Sequence, residues 1–428
     1  MCPEDYQWGS AKAYYDIEGR VDQRGRGYSI VDTFCAQPGK YADASSGWTA
    51  LDAYNRLAGD ILLSSLGCKS VRFSDSSRIL EGGTGDAVNC AGIHHYLKKY
   101  VDDYLSAGST PFLTLFHLDL LHVAYGPLLN CHEFCLDFSN DARVMCRASP
   151  KSRWNVPLCS AYPKYGSASF RPGRTSTSEG PWTCGHNILV AHGRRVKGYR
   201  DDSKPRSGDA QYGIRLNGDF HYPVDAADRA DLEFTCWFAP LGDYCAAMRK
   251  ILGDELPLFT PVEAALVGLN DAYGMSHYTS SYIYHRSIPA RADDQVGAVD
   301  SLFTTKQGTC IAPEDQLPVP ALRPSAAAFR CFLVVTSEYA SRHYCLTRNG
   351  SSIEGESQLP TEIKDLEAEV KIYNELIRAV VTAVVLDAVN VDFAFGYQYV
   401  DSEIGQSRSP SKSTKSLSPS FSELIEAA

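Results

Sequence analysis

The sequence predicts an α/β fold of parallel βα units, with which a single (β/α)8 TIM barrel is compatible, and three observations indicate it. Short apolar runs that end in polar residues alternate with longer amphipathic segments along most of the chain. A repeated strand, loop and helix pattern is typical of parallel βα units. The 428 residues suffice for one barrel with insertions, although two or three ordinary domains would also fit. With 44% hydrophobic and 21% charged residues, the composition is that of a globular protein with a large core.

The spacing of apolar residues and the stop signals place the individual elements. Strands are predicted at residues 6–11, 71–73, 112–116, 212–216, 272–275 and 389–394. Helices are predicted at 48–66, 91–105, 187–199, 261–269 and 363–386, where apolar residues recur every three or four positions. A further buried strand is predicted from the apolar run 332–335, ahead of the polar loop that begins at Gly350. Residues 290–316 are polar with few helix or strand signals, which predicts a long loop.

Charge and cysteine usage argue against several classes of function. The net charge of −10 disfavours nucleic acid as a partner, and no stretch approaches the roughly 18 apolar residues of a membrane helix. Residues 1–6 lack the basic and apolar regions of a secretion signal, so we expect a cytoplasmic protein. The 14 cysteines include no Cys-x-x-Cys pair, and the closest two, Cys131 and Cys135, have no matching His set. We therefore expect free thiols, no metal, and no nucleic-acid or membrane partner, whereas the oligomeric state stays open.

Eight short motifs occur in a fixed order along the chain and identify a resemblance. They are Gln7-Trp8-Gly9, Tyr15-Asp16-Ile17-Glu18-Gly19, Asp32-Thr33-Phe34, Arg72-Phe73-Ser74, Thr114-Leu115-Phe116-His117, Gly185-His186-Asn187, Tyr273-Gly274-Met275 and Asn349-Gly350. In this order they resemble family-1 glycoside hydrolases, most closely the intracellular β-glucosidases of filamentous fungi. The resemblance implies one barrel domain over residues 1–428, with its pocket at the C-terminal face and no cofactor.

The resemblance also implies a reaction, the retaining hydrolysis of β-glucosides. That mechanism needs two carboxyl groups about 5–5.5 Å apart, one as nucleophile and one as acid/base. The family carries the acid/base in an Asn-Glu-Pro motif after its fourth strand, where this chain has Asn155-Val156-Pro157. It carries the nucleophile in a Thr-Glu-Asn-Gly motif after its seventh strand, where this chain has Thr347-Arg348-Asn349-Gly350. Val156 has no titratable proton, and the cation of Arg348 would oppose an oxocarbenium-like transition state. Both catalytic glutamates are therefore absent at the matching positions.

The other positions that match the family's sugar-binding residues are mixed, some kept and some replaced. The resemblance assigns substrate binding to His117, Asn155 and Tyr278, and also to Asp16, which stands where the family has a glutamine. It assigns a supporting role to Arg72, which lies beside the nucleophile in the family.

Arg348 and Arg72 would then face each other as like charges, which is costly without an anion. Asp16 and Glu18 are candidate partners for either arginine. The alternative is a displaced loop that carries Arg348 into solvent.

Several apparent deletions, relative to the family, fall inside strands. The most severe lies at residues 153–155, and we expect distortion of barrel strands 2, 4 and 8. Losing an odd number of residues from a strand exchanges its two faces. Three functions stay open: a β-glucosidase-type hydrolase of short glucosides such as cellobiose, a catalytically inactive relative that holds a glucoside or glucose, and a damaged or misread form of an active enzyme.

Overall fold

The structure is a computed structural model of the chain. It describes residues 6–11, 15, 18–19, 28–40, 47, 68–74, 80–81, 87–115, 117, 138–140, 142–145, 153–157, 179–203, 211–217, 219–225, 243–244, 246–286, 299–305, 308–311, 325–339, 343–349 and 366–396.

The described strands comprise a barrel and two small sheets. In chain order they are β1 (Gln7–Ala11), β2 (Ser70–Ser74), β3 (Leu80–Glu81), β4 (Ala87–Val88), β5 (Thr110–Thr114), β6 (Arg153–Pro157), β7 (Tyr212–Asn217), β8 (Phe220–Pro223), β9 (Ala272–His277), β10 (Ser280–His285), β11 (Val299–Leu302), β12 (His343–Asn349) and β13 (Val391–Gly396). Eight of them form a closed barrel in the order β1-β13-β12-β9-β7-β6-β5-β2, all pairs parallel. The predicted (β/α)8 fold is confirmed.

The described helices surround this barrel. They are α1 (Ile30–Cys35), α2 (Cys90–Tyr96), α3 (Asp103–Ser106), α4 (Glu179–Gly198), α5 (Ala246–Leu252), α6 (Pro261–Val267), α7 (Ala326–Tyr339) and α8 (Leu366–Val385). A π-helical segment, Leu97–Asp102, joins α2 to α3, and a second one, Tyr199–Ser203, extends α4. Among the described helices, none is long and apolar enough to cross a bilayer.

Two helices begin at capping boxes that the sequence encodes. At α1 the Asp32 carboxylate accepts a bond from the Ser29 backbone N–H at 2.7 Å, while the Ser29 hydroxyl accepts from the Asp32 N–H. Thr260 and Glu263 repeat this arrangement at α6, where Pro261 occupies the first turn. Each box satisfies backbone donors that a helix start otherwise leaves open.

The hydrophobic core lies between the barrel and the helices, which fixes the direction of the strand side chains. Val71 and Phe73 of β2 and Leu113 of β5 pack in one cluster with side chains of the α2–α3 region. Ile214 of β7 and Tyr273 of β9 belong to a second cluster, which includes residues of α7 and α8. Because successive strand residues point to opposite faces, the residues between these core positions face the barrel interior.

Most predicted elements are confirmed. The predicted strands correspond to β1, β2, β5, β7, β9 and β13, and four predicted helices correspond to α2–α3, α4, α6 and α8. The helix predicted at 48–66 lies outside the described residues.

The strand predicted at residues 332–335 is wrong, since they belong to α7. A short apolar run cannot by itself distinguish a buried strand from a helix. The three alanines at the start of α7 favour a helix, and Leu333 is 0% exposed whereas Val335 is 40% exposed. In a strand, these two side chains would share a face. The strand that leads to Asn349 is β12 instead.

The long loop predicted at 290–316 is also partly wrong, because it contains β11. This strand pairs antiparallel with β10, and the hydroxyl of Tyr284 donates to the Asp300 carboxylate at 3.1 Å. Its residues are half-buried or exposed, so the apolar alternation that reveals a strand is missing.

Of the distortions expected at strands 2, 4 and 8, none is found at the described residues of strands 2 and 4, and strand 8 is irregular only where it pairs with the seventh strand. Over their paired residues, β2 and β6 keep a continuous register with their neighbours. The ladders of β6 are short but regular. The register between β12 and β13 shifts between Tyr344 and Cys345. A second shift separates Leu346 from Arg348 in the pairing of β12 with β9. The irregular strand is therefore the seventh, at both of its edges.

Replacing Gly193 with alanine is expected to destabilise the protein. A Cβ at this position of α4 would lie 2.6 Å from the backbone carbonyl carbon and oxygen of Leu266 in α6. Overpacking costs about 1–3 kcal/mol, which exceeds the gain of up to about 1 kcal/mol from removing a helical glycine. Gly198→Ala is the matched control, since its nearest neighbour is a side-chain atom at 4.0 Å. Urea unfolding midpoints that fall equally for both variants would contradict the close approach of α4 and α6.

Candidate active site

Arg72 is the predicted site residue whose contacts are best defined. It occupies the inward-facing centre of β2 and is 1% exposed. Its Nε donates a hydrogen bond at 2.9 Å to Oγ1 of Thr114, the last residue of β5. Thr114 was not predicted as a site residue, although a polar side chain at the inner-facing end of a strand signals one. The contact fixes the Arg72 side chain across two neighbouring strands inside the barrel.

Asn155 and Val156 lie on β6 at different positions of the barrel register. Asn155 pairs through its backbone with Thr114 on one side and Gly213 on the other. Val156 pairs with Ile214, a residue of the core between barrel and helices. Through these pairings the backbone of Val156 aligns with a core residue of β7, and that of Asn155 aligns with the residue before it.

Arg348 lies within β12, close to its C-terminal end. The pairing with β9 skips Thr347, which places Arg348 opposite Ser276 and Asn349 opposite His277. Ser276 is 0% exposed and alternates with the core residues of β9, so its row is the inner one. A bulge of this type changes which residues share a row. The backbone of Arg348 is part of a strand and not of a displaced loop, and the exposure of its side chain to solvent stays a prediction.

His117 and Tyr278 follow the ends of β5 and β9, and both are half-buried. The preceding His277 is 0% exposed and stacks on Phe329 of α7, with ring centroids 4.7 Å apart. This contact turns His277 towards the helices, and the chain leaves the barrel at Tyr278. Both predicted sugar ligands are thus at the C-terminal edge, where barrel enzymes hold their substrates.

Two acidic residues were expected near the arginines. Glu18 is 2% exposed, so one carboxylate is buried. Asp16 lies outside the described residues. The pairing of either residue with Arg72 or Arg348 stays a prediction.

Arg215 is a buried charge that sequence reasoning missed. It lies on β7 in register with Pro157 and Gly274, and it is 1% exposed. Its neighbour Ile214 faces the core, so Arg215 faces the barrel interior. A charged residue in the middle of an otherwise apolar strand was the available signal.

Two buried histidines have strongly lowered pKa values and are therefore neutral at neutral pH. Burial lowers the pKa of His192 on α4 to about 4, and its Nε2 bonds the side-chain oxygen of Asn270. Burial likewise lowers the pKa of His221 on β8 to about 4, and its Nδ1 lies 2.7 Å from Oγ of Ser281. General acids and bases work best with a pKa near the operating pH, so neither ring is suited to catalysis at neutrality.

Metal chemistry finds no support in the described part of the chain. No group of three or more His, Cys, Asp or Glu side chains there is arranged to hold an ion. What the described site offers is hydrogen-bonding groups and guanidinium charge.

Comparisons with known proteins agree with the fold and the motifs. Residues 1–416 match the model of glycosyl hydrolase family 1. β-Glucosidase 1B of Phanerodontia chrysosporium is 38% identical over 437 residues, covering 93% of this chain and 78% of that protein. The structure of β-glucosidase 2 from Trichoderma reesei, in complex with Tris, has a TM-score of 0.90 and 60% identity, covering 99% of this chain and 100% of that one. A β-glucosidase from Humicola insolens, in complex with glucose, has a TM-score of 0.90 and 44% identity, covering 99% and 98%.

Proposed function

Because the chain belongs to glycosyl hydrolase family 1, we propose that it binds a small β-glucoside such as cellobiose, or glucose, without hydrolysing it efficiently. One observation carries the proposal. Arg348 pairs through its backbone with Ser276 near the C-terminal end of the seventh barrel strand, at the position where the family's motif has its nucleophile. The lineage is that of β-glucosidases, and the Humicola insolens relative was solved with glucose.

The proposed division of labour follows from the residue types. The hydroxyl of Tyr278 and the ring nitrogens of His117 can donate to or accept from sugar hydroxyls at the barrel mouth. Arg72 donates a hydrogen bond to Thr114 and lies inside the barrel, below the two sugar ligands. Neither Val156 nor Arg348 can supply the acid or the nucleophile that retention requires. Loss of general acid catalysis alone lowers rates by about 10²–10⁴.

The test starts with an aryl-β-glucoside release assay on purified protein of confirmed mass. We expect turnover at background, because both carboxylates are absent from the matching positions. Turnover well above background, with a mass that matches this sequence, would show an active enzyme. The register shifts on both sides of β12 favour a second candidate, a misread form of an active enzyme, and a different mass together with turnover would support it.

Binding is tested separately by a thermal-shift titration with glucose or gluconolactone. We expect the Tm to rise with saturation, and Tyr278→Phe to weaken the apparent affinity roughly tenfold through loss of one hydrogen bond. Tyr284→Phe is the control, since its hydroxyl bonds Asp300 in the small sheet of β8, β10 and β11. An unchanged Tm at saturating sugar would contradict the proposed sugar binding.

The cellular context is part of the proposal. We expect a cytoplasmic protein without nucleic-acid or membrane partners. The net charge of −10 supports this expectation, since it disfavours polyanionic surfaces.

A further inference from the structure

We infer that Asp219 is a positioning residue for Tyr278, which is proposed above as a ligand of the sugar. The Asp219 carboxylate holds the backbone next to Tyr278 and so determines where the phenol hydroxyl stands at the barrel mouth. The inference deepens the proposed function and rests on it, because it takes Tyr278 as a sugar ligand. Asp219 itself acts through Tyr278 and does not need to touch the sugar.

Tyr278 lies in a short link between the barrel and the small sheet of β8, β10 and β11. Barrel strand β9 ends at His277 and β10 begins at Ser280, so this link consists of Tyr278 and Thr279. The neighbouring barrel strand β7 leads into β8 through a link of two residues that ends with Asp219. Since β8 and β10 pair in parallel, the two links run side by side at the C-terminal edge of the barrel.

Asp219 joins the two links. Its Oδ1 accepts a hydrogen bond from the backbone N–H of Thr279 at 3.2 Å. In the opposite direction, the N–H of Phe220 donates to the carbonyl oxygen of Thr279 at 3.3 Å. Consecutive residues of one link therefore bind both the donor and the acceptor of Thr279. These bonds hold the residue that directly follows Tyr278.

The residue that precedes Tyr278 is held as well. His277 stacks on Phe329 of α7, and its Nε2 lies 3.5 Å from Oγ of Ser280, on the far side of the link. With His277 and Thr279 both fixed, the Tyr278 ring turns only about its own side-chain bonds. Staggered rotamers then confine the hydroxyl to a few positions.

A small displacement of this link is enough to affect binding. Hydrogen bonds between hydroxyl groups need donor–acceptor distances of about 2.5–3.0 Å, so a shift of about 1 Å at Tyr278 breaks such a bond to the sugar. Losing the Asp219 contact can therefore weaken binding by as much as removing the Tyr278 hydroxyl, and by no more. That limit gives the inference a measurable size.

The experiment is a thermal-shift titration of the full chain with glucose. Asp219→Ala is expected to weaken the apparent affinity about fivefold, within the roughly tenfold loss expected for Tyr278→Phe. Asp219→Asn should keep the affinity within about twofold of the parent, because its amide oxygen can still accept from Thr279. Asp243→Ala is the matched control. That carboxylate likewise accepts a backbone N–H, from Tyr244 at 2.8 Å, and its loss should leave the affinity unchanged.

A double-mutant cycle distinguishes positioning from a purely structural role. In the Tyr278→Phe background, Asp219→Ala should cause no further loss of affinity, because the hydroxyl through which it acts is gone. A purely structural residue would lower the Tm without sugar and leave the affinity unchanged in both backgrounds. Additive losses of affinity would mean that Asp219 affects the sugar by another route, which would overturn the inference.

The outcomes also separate the two proposals. If Asp219→Ala does not fold, Asp219→Leu takes its place, since leucine fills the space and has no acceptor. A saturable Tm rise with the same affinity in the parent and in the variant without an acceptor rejects the inference alone. No rise in the parent rejects the proposed function, and the inference with it.

Discussion

Replacing Arg348 with glutamate is expected to restore hydrolysis only of glucosides whose leaving group departs without protonation. The substitution returns a carboxylate to the position on β12 that pairs with Ser276, and it removes the cation. It does not return an acid, since Val156, which pairs through its backbone with Ile214, has no titratable proton. A dinitrophenolate leaves unaided, whereas an alkoxide or a sugar needs a general acid, which is worth about 10²–10⁴ in rate.

The measurement compares 2,4-dinitrophenyl β-glucoside with cellobiose for the same variant. We expect release of dinitrophenolate above the parent rate and no detectable gain on cellobiose. Arg348→Gln is the matched control, because it removes the cation without supplying a nucleophile. Equal rates for the two variants would show that loss of the cation, not a new nucleophile, causes the gain. A large gain on cellobiose would mean that another group protonates the leaving oxygen.

The sequence predicts the barrel well because its signal is repeated. Each strand such as β2 carries core residues on one face, and that alternation is visible in one dimension. Where the alternation fails, prediction fails too. The apolar run at 332–335 has no period that separates helix from strand, and β11 is an edge strand with little buried surface.

The candidate site is less predictable because it depends on register. Motif order locates Val156 and Arg348 along the chain, but the skipped Thr347 decides that Arg348 stands opposite Ser276. The bond from Arg72 to Thr114 joins residues 42 apart, and no local pattern reveals it. Arg215 did leave a local signal, which is a charge inside an apolar strand. Only the closed barrel shows that this charge is buried in the interior.

Lowering the pH from 7 to 5 is expected to reduce the free energy of unfolding substantially. His192 and His221 have pKa values lowered by burial to about 4, against about 6.5 in an unfolded chain. Above pH 6.5 both rings are neutral in either state and contribute no pH dependence. Between pH 6.5 and 4 the unfolded chain binds protons that the folded chain does not, so stability falls as the pH falls. At pH 5 the loss is on the order of 2 kcal/mol for each histidine.

Urea unfolding of the parent and of His192→Gln at pH 7 and pH 5 tests this loss. The glutamine amide can still donate to the side-chain oxygen of Asn270, but it has no titrating nitrogen. We therefore expect the variant to lose roughly half as much stability as the parent across this range. His94→Gln, at an exposed position of α2, should keep the parent's pH dependence. If the parent and His192→Gln lose the same stability, His192 is not a neutral, buried ring bonded to Asn270. The packing of α4 against the segment before β9 would then differ from the one described.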